Sequence, residues 1–467
     1  MSRTNSGFTG APEQPENRIS QTGSDLLGPL FGDTEVADHL SDRARLQAML
    51  DVEAALADVE AQFGIVPRAA VEPIRAAAQA DLYDCRAIAI EAADDGNLAI
   101  PLVRHLTRQV EATDRDAARY VHWGATSQDI LDTGLVLQLQ RGVPPIVRCL
   151  ERAADAAAQH ARRHIDTVMA GRTWLQHSTP VTFGVKAAGW LDALIRQRTA
   201  LGSALEDARV VQFGGASGTL AALGQQGPAV ADLLASRLGL AAADIPWHAH
   251  RDRLGRLACA MGVACGTLGK IARDVSLLAQ TEIGEAAEAR TRGGGSSAMP
   301  HKQNPVGASI ALAAAVRAPG LVATMLAAMP QEHERGLGGW QAEWATLPEL
   351  VLLTAGASRA IATTLEGLVV HEARMRENLE RTHGLIASEA VTMALAAHVG
   401  RSEAHRLVEE AAHRASAAGG ALADALATDP AVTGHLTRAE IDRHLSPEHY
   451  VGAARALVER VLARAHR

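Results

Sequence analysis

The chain has 467 residues and a formal charge of −8, with 47% apolar residues of which few are aromatic. That length suffices for two or three structural units around a large core, and an apolar content carried by Ala, Leu and Val favours long helices packed through small side chains. The negative balance argues against a nucleic-acid partner and means that an anionic ligand needs a local cluster of cations. Cys85, Cys149, Cys259 and Cys265 form no C-x-x-C pair or zinc spacing, so they read as buried thiols in a reducing compartment. Apolar stretches are interrupted by Arg, Asp, Glu or His, and no membrane span is expected. Residues 1–25 are polar, lack the apolar stretch of a signal peptide and are expected to be a disordered tail; the expected location is cytoplasmic.

From Gly28 to about Ala118 the pattern is one of short helices. Ser41 is placed to cap a helix through Leu46, Met49, Leu50, Val52 and Leu56, and Pro67, Pro73 and Pro101 punctuate the stretch beyond it. In His122-Trp123-Gly124-Ala125-Thr126-Ser127-Gln128-Asp129, Thr126 or Ser127 can cap a helix while Asp129 favours its dipole. The same hydroxyls and free N–H groups at a helix start can instead hold an anion. Val143 to Val210 reads as two long Ala-rich helices broken at Gly171-Arg172-Thr173-Trp174-Leu175-Gln176-His177-Ser178-Thr179-Pro180. Gln212 to Thr219 is a Gly-rich connector. His248 and His250 do not share a helical face, which argues against a metal pair and leaves Arg251 and Arg253 as structural or substrate-facing cations.

Leu254, Leu257, Met261, Ala264, Leu268, Ile271, Val275 and Leu278 recur at spacings of three and four, a heptad seam over about seven turns. Gly262, Gly266 and Gly269 on that helix would let neighbours approach closely. Next comes Gly293-Gly294-Gly295-Ser296-Ser297-Ala298-Met299-Pro300-His301-Lys302-Gln303-Asn304-Pro305, after which Asn304 to Met329 reads as a further bundle helix. A backbone with this much freedom, two hydroxyls, a lysine and an asparagine are equipment for holding an anion while a proton moves. The spacing fits neither a P-loop nor a Gly-x-Ser-x-Gly elbow. Beyond it, Gln331-Glu332-His333-Glu334-Arg335 leads into a Gly- and Trp-containing run, and a helical C-terminal part begins at about Val369. Leu445 to Tyr450 reads as a capping turn before a last helix.

Gly-Ser-Ser-Ala-Met-Pro-His-Lys-Gln-Asn-Pro resembles the signature of the fumarase/aspartase superfamily of lyases. The resemblance implies an all-α fold of three helical domains (26–118, 119–368 and 369–467). A long central helix bundle would be shared in a homotetramer, with sites divided between subunits. It also implies a small anionic carboxylate substrate. Thr126 and Ser127 match the segment that binds a substrate carboxylate, and Gln176 matches the second site segment. Trp174 stands where most members have a histidine, and an indole cannot supply a proton at neutral pH. His-Glu-Arg, ending at Arg335, is kept from adenylosuccinate lyases, but their phosphate-binding serines and second arginine are glycines and tryptophans here, so adenylosuccinate is disfavoured.

The superfamily's chemistry implies Ser297 as the base, in an alkoxide-like form stabilised by Lys302 and loop N–H groups, with the Gly293–Pro300 loop closing over bound substrate. Thr126, Ser127, Lys302 and Asn304 would hold the carboxylate whose charge grows. Trp174, Gln212–Thr219, Trp247 with Arg251 to Arg253, and Gln331–Trp344 resemble the 3-carboxy-cis,cis-muconate cycloisomerases, although Gln303 replaces their usual arginine. A nitrosuccinate lyase remains a rival, because a nitro group has the shape of a carboxylate and nitrite leaves without an acid. A non-catalytic crystallin-like scaffold is a more distant alternative. No residue pattern requires a metal or an organic cofactor.

Overall fold

The computed structural model describes residues 26–289, 299 and 302–465. Its framework helices are α1 (Asp42–Gln62), α2 (Ser127–Gly142), α3 (Pro144–Arg163), α4 (Phe183–Ala208), α5 (Asp252–Leu278), α6 (Val306–Ala327) and α7 (Gly339–Glu366). The expected disordered tail lies outside the described residues, as do Ser297 and most of the glycine-serine segment.

The chain divides into two compact units. The first takes the chain up to Gly142 together with Arg209–Arg251 and Ala327–Leu352. Its α1 begins as expected, with the Ser41 hydroxyl accepting from the Ala44 N–H at 3.2 Å. Leu46, Met49, Leu50, Val52, Leu56 and Val59 are buried, so one face of α1 is core. The same helix also buries two acids, Glu53 and Glu60.

The second unit comprises Val143–Ala208, Asp252–Leu326 and Leu353–Arg467. Every seam residue of α5 from Leu254 to Leu278 is buried. A Cβ on Gly262 would lie 2.6 Å from Val322 of α6, and one on Gly269 would overlap the Ala315 methyl, so these glycines set the α5–α6 distance. Gly266 does not share that role, because a Cβ there meets no heavy atom within 4 Å. Contrary to the expectation from the interrupted apolar stretches, α5 and α6 are each long and apolar enough to cross a membrane, by length and mean hydropathy alone. For α5 the buried seam accounts for much of it, although Val263 is exposed. α6 instead leaves Val316 80% exposed.

The break between α3 and α4 is an antiparallel hairpin of β1 (Val168–Thr173) and β2 (Gln176–Thr182), paired from Val168↔Thr182 to Thr173↔Gln176. Its two-residue turn is Trp174-Leu175, with φ of 52° and 65°. Both central residues are left-handed, a conformation that favours Asn-Gly and is strained for Trp and Leu. The C-terminal helices pack around Leu395, Leu407, Leu422, Leu426 and Ile441. As expected, a turn of Pro447–Tyr450 precedes the last helix, Ala454–Ala465, and the Ser446 hydroxyl donates to Glu448 at 2.6 Å.

Candidate functional site

In the first unit the site is built on the turn that enters α2. Asp129 organises it, although its reach is backwards rather than along the helix. Its carboxylate accepts from the N–H groups of Thr126 (3.0 Å), Gly214 (3.0 Å) and Gly215 (2.9 Å), and it pairs with His248 Nε2 at 2.7 Å. The Gly-rich connector is therefore a clamp on Asp129. Gly215 has a φ of 67°, and a Cβ on Gly214 would sit 2.7 Å from Pro246 and 2.9 Å from His248. Both positions require glycine. His248 Nε2 is occupied by this contact.

Asp129, the third residue of α2, reaches back to the Thr126 N–H just ahead of the helix, the acid's half of a capping box, and the Thr126 hydroxyl has a further partner. It accepts from Arg335 Nη2 at 2.8 Å, and Arg335 also donates to the Ala216 carbonyl at 2.9 Å. A hydroxyl and a guanidinium are thus brought together from positions 209 residues apart. That pairing, at the positive end of a sixteen-residue helix, can hold an anion. Ser127 is the first residue of α2.

Behind the turn lies Arg251, whose side chain is 1% exposed. It donates to Asp132 of α2 at 2.6 Å and 3.1 Å and to Glu343 of α7 at 2.6 Å and 3.0 Å. Trp340 Nε1 and Gln128 Nε2 each donate to Asp132 at 3.0 Å, and Gln331 donates to Glu343 at 3.2 Å. The guanidinium also stacks 4.9 Å from the Trp247 ring. Of the two roles open to Arg251 on sequence, the structural one holds.

His122, four residues before Thr126, has a left-handed φ of 60°, and its Nδ1 lies 2.6 Å from Glu53 Oε1. Burial alone would lower the His122 pKa, but the charge and hydrogen bond of Glu53, with the charge of Asp129, more than offset it and hold it above the ordinary value. Glu60 is pushed up to about 9, first by burial and then by the charge of Glu53, and among the described residues both of its carboxyl oxygens lack a partner. A carboxyl raised on folding stabilises fully below its unfolded pKa and loses that contribution as pH rises toward the folded one. The wild type should therefore lose about 1.4 kcal/mol per pH unit relative to Glu60→Gln between the two values. Denaturant midpoints for both proteins over a pH series check this, and parallel curves would refute it.

The remaining candidates belong to the second unit. Gln176 opens β2 opposite Thr173, and Lys302 and Asn304 are exposed just before α6. Glu288 caps that helix by accepting from Gly307 and Ala308 N–H at 3.0 Å and 2.8 Å, a role no local sequence signal marks. Trp174 at the hairpin tip is 97% exposed. Sequence reasoning also missed Glu53, because an acid among the core positions of an amphipathic helix gives no sign of its partner 69 residues away.

The Lyase family matches residues 33–320, and the family described as adenylosuccinate lyase C-terminus matches residues 384–461. The chain is 56% identical over 427 residues to the 3-carboxy-cis,cis-muconate cycloisomerase of Pseudomonas aeruginosa, covering 91% of this chain and 93% of that one. It is 42% identical over 450 residues to the nitrosuccinate lyase of Streptomyces davaonensis, covering 94% of each. The solved 3-carboxy-cis,cis-muconate lactonizing enzyme of Pseudomonas putida matches with a TM-score of 0.91 at 49% identity, covering 95% of this chain and 99% of that chain.

Proposed function

We propose, for a chain that belongs to the fumarase/aspartase superfamily of lyases, that its reaction is the cycloisomerisation of 3-carboxy-cis,cis-muconate. The observation that carries the reading is the Thr126 hydroxyl held against Arg335 at 2.8 Å at the start of α2, a ready cradle for a carboxylate. The relatives' similarity over nine-tenths of the chain supports the substrate.

In the lactonising direction a substrate carboxylate oxygen adds to an alkene carbon. A C–O bond forms, the π pair moves to the adjacent carbon, and that carbon's own carboxylate takes up the charge as an aci-carboxylate. Ser297 then gives the carbon its proton; in reverse the Ser297 alkoxide removes it. Thr126, Ser127, Lys302 and Asn304 stabilise the growing charge, while Gln176 and Arg335 complete the binding set. The step uses a carboxylate as nucleophile or leaving group, so it needs no acid at Trp174. Sites shared within a homotetramer belong to this reading, and the exposed apolar side chains of α6 are in keeping with such an assembly.

The second reading is elimination of nitrite from nitrosuccinate to give fumarate. It is favoured by the 42% identical nitrosuccinate lyase and by a leaving group that requires no proton. Purified protein monitored in the ultraviolet with each substrate separates the two. Loss of muconate absorbance without nitrosuccinate turnover is the expected result. Fumarate and nitrite appearing together would replace the cycloisomerase by a C–N lyase.

A further inference from the structure

We infer that Glu53 is a positioning residue for this reaction, acting through His122 to present an imidazole N–H to a substrate carboxylate at the Thr126 turn. The inference rests on the reading of that turn as the carboxylate site. It begins with two facts that packing does not explain. A carboxylate 2% exposed sits on the core face of α1, and among the described residues its one hydrogen-bonding partner is a histidine in left-handed backbone. An unpaired buried carboxylate is costly, and a φ of 60° is strained for a residue other than glycine. Such strain persists where the surroundings over-determine the conformation, and the 2.6 Å bond to Glu53 does so.

The bond also settles which edge of the ring is available. Nδ1 faces Glu53, whereas Nε2 has no protein partner among the described residues, and the side chain is 20% exposed. The charged and titratable groups facing the ring are Glu53 and, behind it, Glu60 from α1, with Asp129 from α2. Asp129 is already engaged by His248 and three backbone N–H groups, so Glu53 is the group that can hold the ring. With Nδ1–H donated to Glu53, protonated His122 offers Nε2–H outward from the segment that ends in Thr126. A donor there strengthens as the substrate carboxylate becomes an aci-carboxylate, and so acts on kcat more than on KM. Loss of the proton leaves Nε2 an acceptor and removes the donor.

Glu53→Gln, Glu53→Asp, His122→Asn and the double variant Glu53→Gln/His122→Asn test this. Glu53→Gln should lower kcat by about 10–100-fold with KM within about threefold, the range seen for groups that orient a functional histidine. The basic limb of its pH–kcat profile should move down by about 1–2 units, and Glu53→Asp should recover part of both effects. The double variant should be no slower than His122→Asn, because Glu53 acts only through the ring. An unmoved pH limb, or additive losses in the double variant, would overturn the inference. If Glu53→Gln does not fold, the pH limb of Glu53→Asp decides in the same way. Fumarate binding by calorimetry across pH is measured in parallel. A wild type that turns over neither substrate refutes the proposed function alone. The dyad still stands in that case if Glu53→Gln (or Glu53→Asp) weakens fumarate binding and shifts its pH dependence, and it falls if binding is unchanged.

Discussion

Ser297→Ala is expected to lower kcat by roughly a hundred- to ten-thousand-fold while leaving KM and thermal stability near their wild-type values. Serine is too weak a base in water, so its worth lies in an environment that stabilises the alkoxide and excludes solvent. The substitution removes one oxygen and leaves the proposed binding groups Thr126, Arg335, Lys302 and Asn304 untouched. The loss should therefore fall on the chemical step. Steady-state kinetics with whichever substrate the enzyme accepts supply the measurement, alongside a melting curve to confirm the fold. Near-normal turnover in a folded variant would remove serine from the mechanism and would send the search for the base to another side chain.

Arg251→Met should destabilise the protein by about 3–5 kcal/mol, enough to leave little folded protein at 37 °C. Removing the guanidinium leaves Asp132 and Glu343 buried without their counter-ion, along with the donors Trp340 and Gln128 that converge on Asp132. Burial already raises the Glu343 pKa, Arg251 opposes that rise, and Asp132 adds to it. Without Arg251 the pair should bind a proton on folding. The variant is then relatively more stable at low pH and loses that advantage as pH rises through the raised folded value. Chemical denaturation at several pH values reads both the drop and its slope. A loss below about 1 kcal/mol would mean that water reaches the triad.

The parts of this molecule that sequence makes legible are those written in contiguous or periodic residues. The Ser41 cap, the α5 seam and the helix after Pro305 are local patterns, and each is found where its spacing places it. The hairpin is not legible, because a Trp-Leu turn carries none of the Gly, Asn or Asp that announce left-handed backbone. The site is divided in the same way. Its residue types stand in recognisable strings, but the groups that hold them do not. Arg251 meets acids 119 and 92 positions away, and Glu53 meets His122 across 69. Asp129 could be read as a dipole partner from its helix position, yet it also gathers the N–H groups of Thr126, Gly214 and Gly215 with His248, partners up to 119 positions away.

The strained hairpin tip has a consequence for how such a chain changes its chemistry. Trp174 and Leu175 hold a conformation that Asn-Gly would hold with less strain, so the fold does not depend on either side chain. Most functional positions are costly to vary because they also carry structure. Here both side chains are exposed, so replacement is expected to be close to neutral for folding. A lineage can exchange the indole for a polar or ionisable group, or the reverse, without first compensating a damaged core. The tip is an evolutionary dial, set apart from the scaffold that bears it.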